Sequence, residues 1–395
     1  MPTTRMSLAD WRTTALCLAA VCAGASTGLG ALFGAAMFAP VIYALARLRA
    51  HAPNATSTAT LVAATCGPQA GGFTKALQVT GYALVAVESA QSLASLMTEQ
   101  DQRFDEWPWS LSAAAVVVVA ALVASVLPDG AFIALAALLA LAGVATYLYF
   151  GTAVAVHVLS ETGTAPLAND PTPNPPGEPD GLGVYAELAQ LGLAMVAFEV
   201  ATTRLHRVRS LGRSMGLAMA VVVVAAAVVW YATGRGGNGA FGGYYLAEEA
   251  SALFGPSAGS WLHVATVAIV AAGLLAVLRG AFDVLDRGRW FAIVAALAAV
   301  ATVAAGMLSA STAPVGEFVL IALYIVILVA SCRIPGGDFV TWWLRALTPI
   351  ALLAVVVIPA VTALKLMALL PVAIATWLVV IAAIVGLVGT PSHPG

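Results

Sequence analysis

Residues 131–159 read AFIALAALLALAGVATYLYFGTAVAVHVL, without one Asp, Glu, Lys or Arg among them. A helix of that length rises about 44 Å at 1.5 Å per residue, more than the hydrocarbon core of a bilayer requires. Apolar and polar residues do not alternate, so a membrane strand is excluded. A helix satisfies its own backbone hydrogen bonds, which is the condition for crossing lipid. The run therefore predicts a transmembrane helix.

The rest of the chain has the same character. Of 395 residues 61% are hydrophobic and only 9% charged, and the mean hydropathy is +0.95; a soluble fold does not hide that much apolar surface. Runs of about twenty apolar residues fall near 11–28, 31–50, 70–98, 109–127, 131–159, 183–206, 212–233, 259–280, 289–309, 315–333, 344–363 and 366–389. The expected fold class is thus an all-α integral membrane protein of about twelve transmembrane helices. The opening residues Met1–Asp10 lack the pattern of a secretory signal, and the first run reads as a span.

Charge orients the spans. With strict alternation, fourteen of the seventeen Lys and Arg residues fall on the side of the N-terminus, and only Arg103, Arg235 and Lys365 on the other. By the positive-inside rule both termini are expected in the cytoplasm, and the protein in the plasma membrane. Two outer connections stand out: 161–181, rich in Pro and acid, and 234–260, which opens on a glycine cluster and continues into YYLAEEASALFG, a candidate surface helix. The basic residues sit in short loops and form no basic face, so nucleic acid is not an expected partner. Cys17, Cys22, Cys66 and Cys332 lack metal-ligand spacing and read as reduced packing residues. No metal or cofactor is expected.

No P-loop and no HExxH motif is present, and no enzymatic role is expected. Acids within apolar spans carry the chemical signal, because a carboxylate there is costly unless paired, protonated or facing a wet cavity. Glu199 lies eight residues, about 12 Å along a helix, before the basic cluster that begins at Arg207. Such a group suits proton uptake and release during transport, with pairing to Arg204 as the alternative. Glu88, in the polar pattern Glu88, Ser89, Gln91, Ser92, is a second proton-coupling candidate; interhelical hydrogen bonding is its alternative. Glu187, Glu317, His157 and His263 stand near outer span ends and read as solvated or interfacial. Gly24, Gly28, Gly30 and Gly34 have small-xxx-small spacing, suited to close helix contact or to an interrupted helix.

Four segments resemble the amino acid/polyamine/organocation (APC) superfamily of permeases. Tyr43-Ala-Leu-Ala-Arg47, Pro53 and Cys66-Gly-Pro-Gln-Ala-Gly-Gly-Phe73 are similar to that family's second-span ending, proline-led loop and G-P-x-x-G-F entry to the third span. Ala197-Phe-Glu-Val-Ala201 before Arg207-Val-Arg209 is similar to its G-F-E pattern and basic loop, Ala250–Gly255 to the stretch before its eighth span, and Arg279 with Asp286-Arg287-Gly288 to the stretch after it. The resemblance implies two inverted five-helix repeats, spans one to five and six to ten within residues 1–333, with two further helices in 334–395. It implies an amino acid or related amine as substrate, coupled to protons, held at breaks in the first and sixth spans by freed backbone groups. Carried over, those breaks fall at Thr14, Ala15 and Leu16 and at Gly192, Leu193, Val196 and Ala197. The family glycine before F-E is Ala197 here, and 14–16 contains no glycine. Competing readings are a non-transporting membrane scaffold or sensor with a degenerate site, and a major-facilitator transporter, whose G-x-x-x-D-R-x-G-R loop GAFDVLDRGR at 280–289 loosely resembles.

Overall fold

In a computed structural model the described residues are 6–24, 28–98, 106–162, 195–208, 210–233, 243–285, 315–334, 342, 346 and 376–384. Every regular element among them is helical: α1 (Leu8–Gly24), α2 (Gly28–His51), α3 (Thr58–Cys66), α4 (Pro68–Thr98), α5 (Glu106–Val126), α6 (Asp129–Thr162), a 3₁₀ helix (Phe198–Arg207), α7 (Leu211–Thr233), α8 (Gly243–Phe254), α9 (Pro256–Leu285) and α10 (Val315–Cys332). Residues 376–384 add a further helical piece.

Five of these helices, α2, α6, α7, α9 and α10, are long and apolar enough to cross a membrane. Their outward residues include Leu138, Leu141, Val224 and Ile325, which a soluble protein would bury. An apolar surface of this kind is matched by lipid, and the chain is a helical, membrane-embedded protein. The span expected at 289–309, residues 183–194 of that at 183–206, most of those at 344–363 and 366–389, most of the connection at 161–181 and residues 234–242 of that at 234–260 lie outside the described residues. The expected surface helix is present as α8, and the next span begins at Pro256, three residues before the hydropathy pattern placed it.

Local sequence chemistry sets several boundaries. Ser57 caps α3: its hydroxyl accepts from the Thr60 N–H at 3.3 Å while the Ser57 N–H donates to the Thr60 hydroxyl at 2.9 Å, a reciprocal capping box. Gly67 then takes φ 93°, open to a residue without Cβ, and Pro68 starts α4. Gly255 at φ 90° and Pro256 repeat the same junction between α8 and α9.

The interior is organised on α9, buried at every position from Ala272 to Phe282. It packs against α1, α4, α5, α6 and the 3₁₀ helix. Near its end Arg279, also buried, donates to the carbonyls of Ala124 and Leu127 at the close of α5, pairs with Asp129 at the start of α6, and lies 5.0 Å above the Phe132 ring. Asp283, one turn on, is 3.8 Å from its Nε. Backbone-level contact joins α4 to α10: a Cβ on Gly81 would fall 2.5 Å from Leu320, and one on Gly316 would fall 2.9 Å from the Val85 nitrogen. Helices that close need small residues at the crossing, the membrane packing rule.

One end of the bundle gathers chain segments far apart in sequence. Arg47 donates to the Ile334 carbonyl at the end of α10, and Arg49 to the carbonyls of Ala55 and Leu205. Leu205 in turn donates its N–H to the Thr56 carbonyl at 3.0 Å. At the start of α1, Asp10 accepts from the Ser210 N–H at 2.9 Å, where α7 begins, and its carbonyl accepts from the Ser214 hydroxyl at 3.1 Å. These are segments that strict alternation of spans assigns to a single side.

Candidate functional site

The site is built where the 3₁₀ segment passes through the bundle. Met195–Ala197 form a turn, and Ala197 takes φ 69° and ψ 7°, the left-handed region that an L-residue with a Cβ enters at a cost. From Phe198 the chain continues for ten residues as a 3₁₀ helix, long for that form. A tight helix of this kind inside an apolar bundle leaves backbone groups that neighbours must satisfy.

Those neighbours come from α1, α3, α4 and α10. The Tyr324 hydroxyl on α10 accepts from the Ala197 N–H at 2.9 Å and donates to Glu199 Oε2 at 2.5 Å. Cys17 on α1 donates its thiol to the Phe198 carbonyl at 3.1 Å. The Thr202 hydroxyl donates to the Glu199 carbonyl at 2.6 Å, so the Thr58 hydroxyl of α3, in contact with it, is the donor of that pair. Phe198 packs against Tyr324 at 5.2 Å and Phe38 of α2 at 5.5 Å between ring centroids. Gly280 of α9 completes the wall: a Cβ there would fall 2.2 Å from a Val200 methyl.

Glu199 is 0% exposed. Its second polar neighbour is the Tyr82 hydroxyl of α4, which itself accepts from Gln78 Nε2 at 3.3 Å. Glu199 Oε1 and Gln78 Oε1 have no hydrogen-bond partner among the described residues. Two buried acceptors left this way are unusual in an interior where polar groups are paired, and they mark a place for a donor. The partner of Glu199 is thus a tyrosine pair; the side chain of Arg204, the alternative from sequence, lies outside the described residues.

The other expected site residues separate into three groups. Val196 and Ala197 are buried in the turn beside Glu199, and Gly192 and Leu193 lie outside the described residues. Thr14, Ala15 and Leu16 form no break: α1 runs unbroken from Leu8 to Gly24, and the Thr14 hydroxyl donates to the Asp10 carbonyl one turn back. The expected first-span break at these residues is corrected, because nothing in Thr-Ala-Leu disfavours a helix. Glu88 stands apart from Glu199, toward the far end of α4; it accepts from the Gly316 N–H at 3.2 Å and faces Glu317. The interhelical hydrogen bond foreseen as its alternative is present, and Glu317 meets another acid instead of ending alone in solvent.

Sequence reasoning missed Gln78, Tyr82 and Tyr324. A signal existed, since each is a polar group in the middle of an apolar run, but nothing in one sequence says which spans adjoin. It also passed over Gly255-Pro-Ser-Ala-Gly259, which has the spacing of a serine nucleophile elbow. The structure places it between two helices with Ser257 exposed on the first turn of α9, not on a strand-to-helix turn. Of the four free cysteines, Cys17 and Cys22 are buried as packing residues are expected to be, Cys66 is half-buried and Cys332 is exposed.

Comparison with protein-family models and with curated proteins finds no match for this chain.

Proposed function

We propose that this protein is a proton-coupled secondary transporter for an amino acid or a related amine. The observation that carries the reading is a fully buried carboxylate, Glu199, on a 3₁₀ segment entered through a left-handed turn at Ala197, with one oxygen held by Tyr324 and the other without a partner among the described residues. Intramembrane acids of this kind serve proton relays, and interrupted helices at the bundle centre serve substrate sites. Tyr324 touches both parts, because its single hydroxyl takes the Ala197 amide and serves Glu199. Loading or unloading the carboxylate therefore acts on the backbone of the break.

The same reading includes twelve spans in a 5+5+2 order, two inverted repeats followed by two helices, a plasma-membrane location and cytoplasmic termini. Its support is the sidedness of the contacts: the starts of α1 and α7 meet each other, and the ends of α2, the 3₁₀ helix and α10 meet each other. Substrate lies beside Val196 and Ala197, with access alternating around the sixth-span break.

The test is uptake into proteoliposomes with an imposed pH gradient, across a panel of amino acids and primary amines. Accumulation that collapses with the gradient is expected, and absence of flux and of bound ligand across the panel overturns the reading. One observation favours a second reading, a membrane scaffold that does not transport: α1 is continuous at 14–16, so half of the substrate site that the family pattern implies is not formed there.

A further inference from the structure

The geometry points to Gln78 as a positioning residue of the Glu199 site, forming with Glu199 a two-oxygen seat for a small hydrogen-bond donor that carries positive charge. This inference rests on the reading of Glu199 as the proton-binding group. Gln78 and Tyr82 are four residues apart on α4 and share one face, and both are fully buried. Because Gln78 Nε2 donates to the Tyr82 hydroxyl, the acceptor side of that hydroxyl is occupied and its proton is left for the Glu199 carboxylate, its other neighbour. Two donor arms thus converge on the Glu199 carboxylate, one from Gln78 through Tyr82 on α4 and one from the Ala197 amide through Tyr324 on α10, and Gln78 sets the direction of the first.

Among the described residues two buried acceptor atoms are left over, Gln78 Oε1 and Glu199 Oε1, on the two side chains that neighbour the Tyr82 hydroxyl. A chloride or a carboxylate would be repelled by two oxygens; a group with several N–H or O–H bonds is held by both. Among the described residues Cys17, Tyr82 and Tyr324 are the other titratable groups around Glu199, and none is a cation. The chemistry that fits is shared by a hydronium ion on its way to Glu199 and by the primary ammonium of a substrate.

The test uses the full chain in lipid nanodiscs and infrared difference spectroscopy of the protonated-carboxyl band that Glu199→Gln removes. The probes are methylammonium chloride, tetramethylammonium chloride as a cation with no N–H bond, and exchange into D2O. If the seat takes an ammonium, methylammonium shifts the band and tetramethylammonium does not. If it takes hydronium, neither salt shifts it, and D2O exchange, which moves the band of any protonated carboxyl that solvent reaches, is fast. Gln78→Met loses the salt response in the first case and slows the exchange in the second, and Gln78→Glu, which keeps an oxygen in place, restores both. A band that responds in Gln78→Met as in the wild type overturns the proposal, and so does a band indifferent to all three probes. Thermal unfolding of each variant separates loss of the seat from loss of the fold. Absence of uptake in proteoliposomes would sink the transporter reading while leaving this spectroscopic result standing.

Discussion

At the scale of the residue, one hydroxyl connects the parts that matter. Tyr324 accepts from the Ala197 amide and donates to Glu199, so Tyr324→Phe strands a buried N–H and a buried carboxylate oxygen together. Each orphaned group costs about 1–3 kcal/mol; the expected loss is about 2–4 kcal/mol in denaturant or thermal unfolding in detergent, and a change below about 0.5 kcal/mol would mean that the hydroxyl is not shared in this way. Glu199→Gln tests function at the same scale. It keeps the shape, removes the exchangeable proton and is expected to uncouple uptake from the pH gradient. Uptake that follows the gradient unchanged removes Glu199 from the mechanism. Glu199 was legible in the sequence because an acid in an apolar run is conspicuous. Its tyrosines were not, since tyrosine is common in membrane spans and the three residues lie 117 and 125 positions from one another in the chain.

At the scale of the element, the informative feature is a 3₁₀ helix where the apolar run of the sixth span suggested an α-helix with a break in it. Ala197 enters that segment at φ 69°. Left-handed backbone costs a residue with a Cβ about 1–2 kcal/mol, and glycine is free of that cost. Ala197→Gly is therefore expected to stabilise the fold by about 1 kcal/mol, read as a higher unfolding midpoint; a lower midpoint would show that the alanine methyl, buried in this turn, contributes more by packing. Glycines at helix crossings act in the other direction. Gly316→Ala places a methyl 2.9 Å from both Leu84 Cβ and the Val85 nitrogen, so the α4 backbone must move. Overpacking of this kind costs about 1–3 kcal/mol, and the hydrogen bond from the Gly316 amide to Glu88 is expected to be lost with it. An unfolding midpoint equal to that of wild type would show that the crossing has room to spare.

At the scale of the whole molecule, the start of α1 is tied to the start of α7 through Asp10. Burial opposes the Asp10 charge, but hydrogen bonds from Ser7 and from the Ser210 amide outweigh it and hold the carboxyl down from 3.8 to about 2. Asp10 stands in the first turn of α1, ahead of the first apolar run. A folded-state value below the unfolded one means stability that is fully present above about pH 4 and is lost as the pH falls through about 2. Asp10→Asn is expected to lower stability at neutral pH and to flatten the decline between pH 4 and 2. A variant with the wild-type slope would assign that decline to other carboxylates. Arg279 plays the corresponding part at the junction of α5, α6 and α9, where the end of one helix, the start of the next and a buried face meet on one guanidinium.

The sequence by itself determined that the chain is helical and membrane-embedded, and it placed the described spans to within a few residues. These properties depend on apolar run length and on residues adjacent in the chain, as at Ser57–Thr60, Gly67–Pro68 and Gly255–Pro256. Only the tertiary structure decided what surrounds Glu199 and that Glu88 faces Glu317. In lipid the hydrophobic effect does not sort one helix face from another, and helix partners are chosen by close packing and by hydrogen bonds between distant residues. A single chain, read along its length, contains the groups that make those contacts but not their pairing.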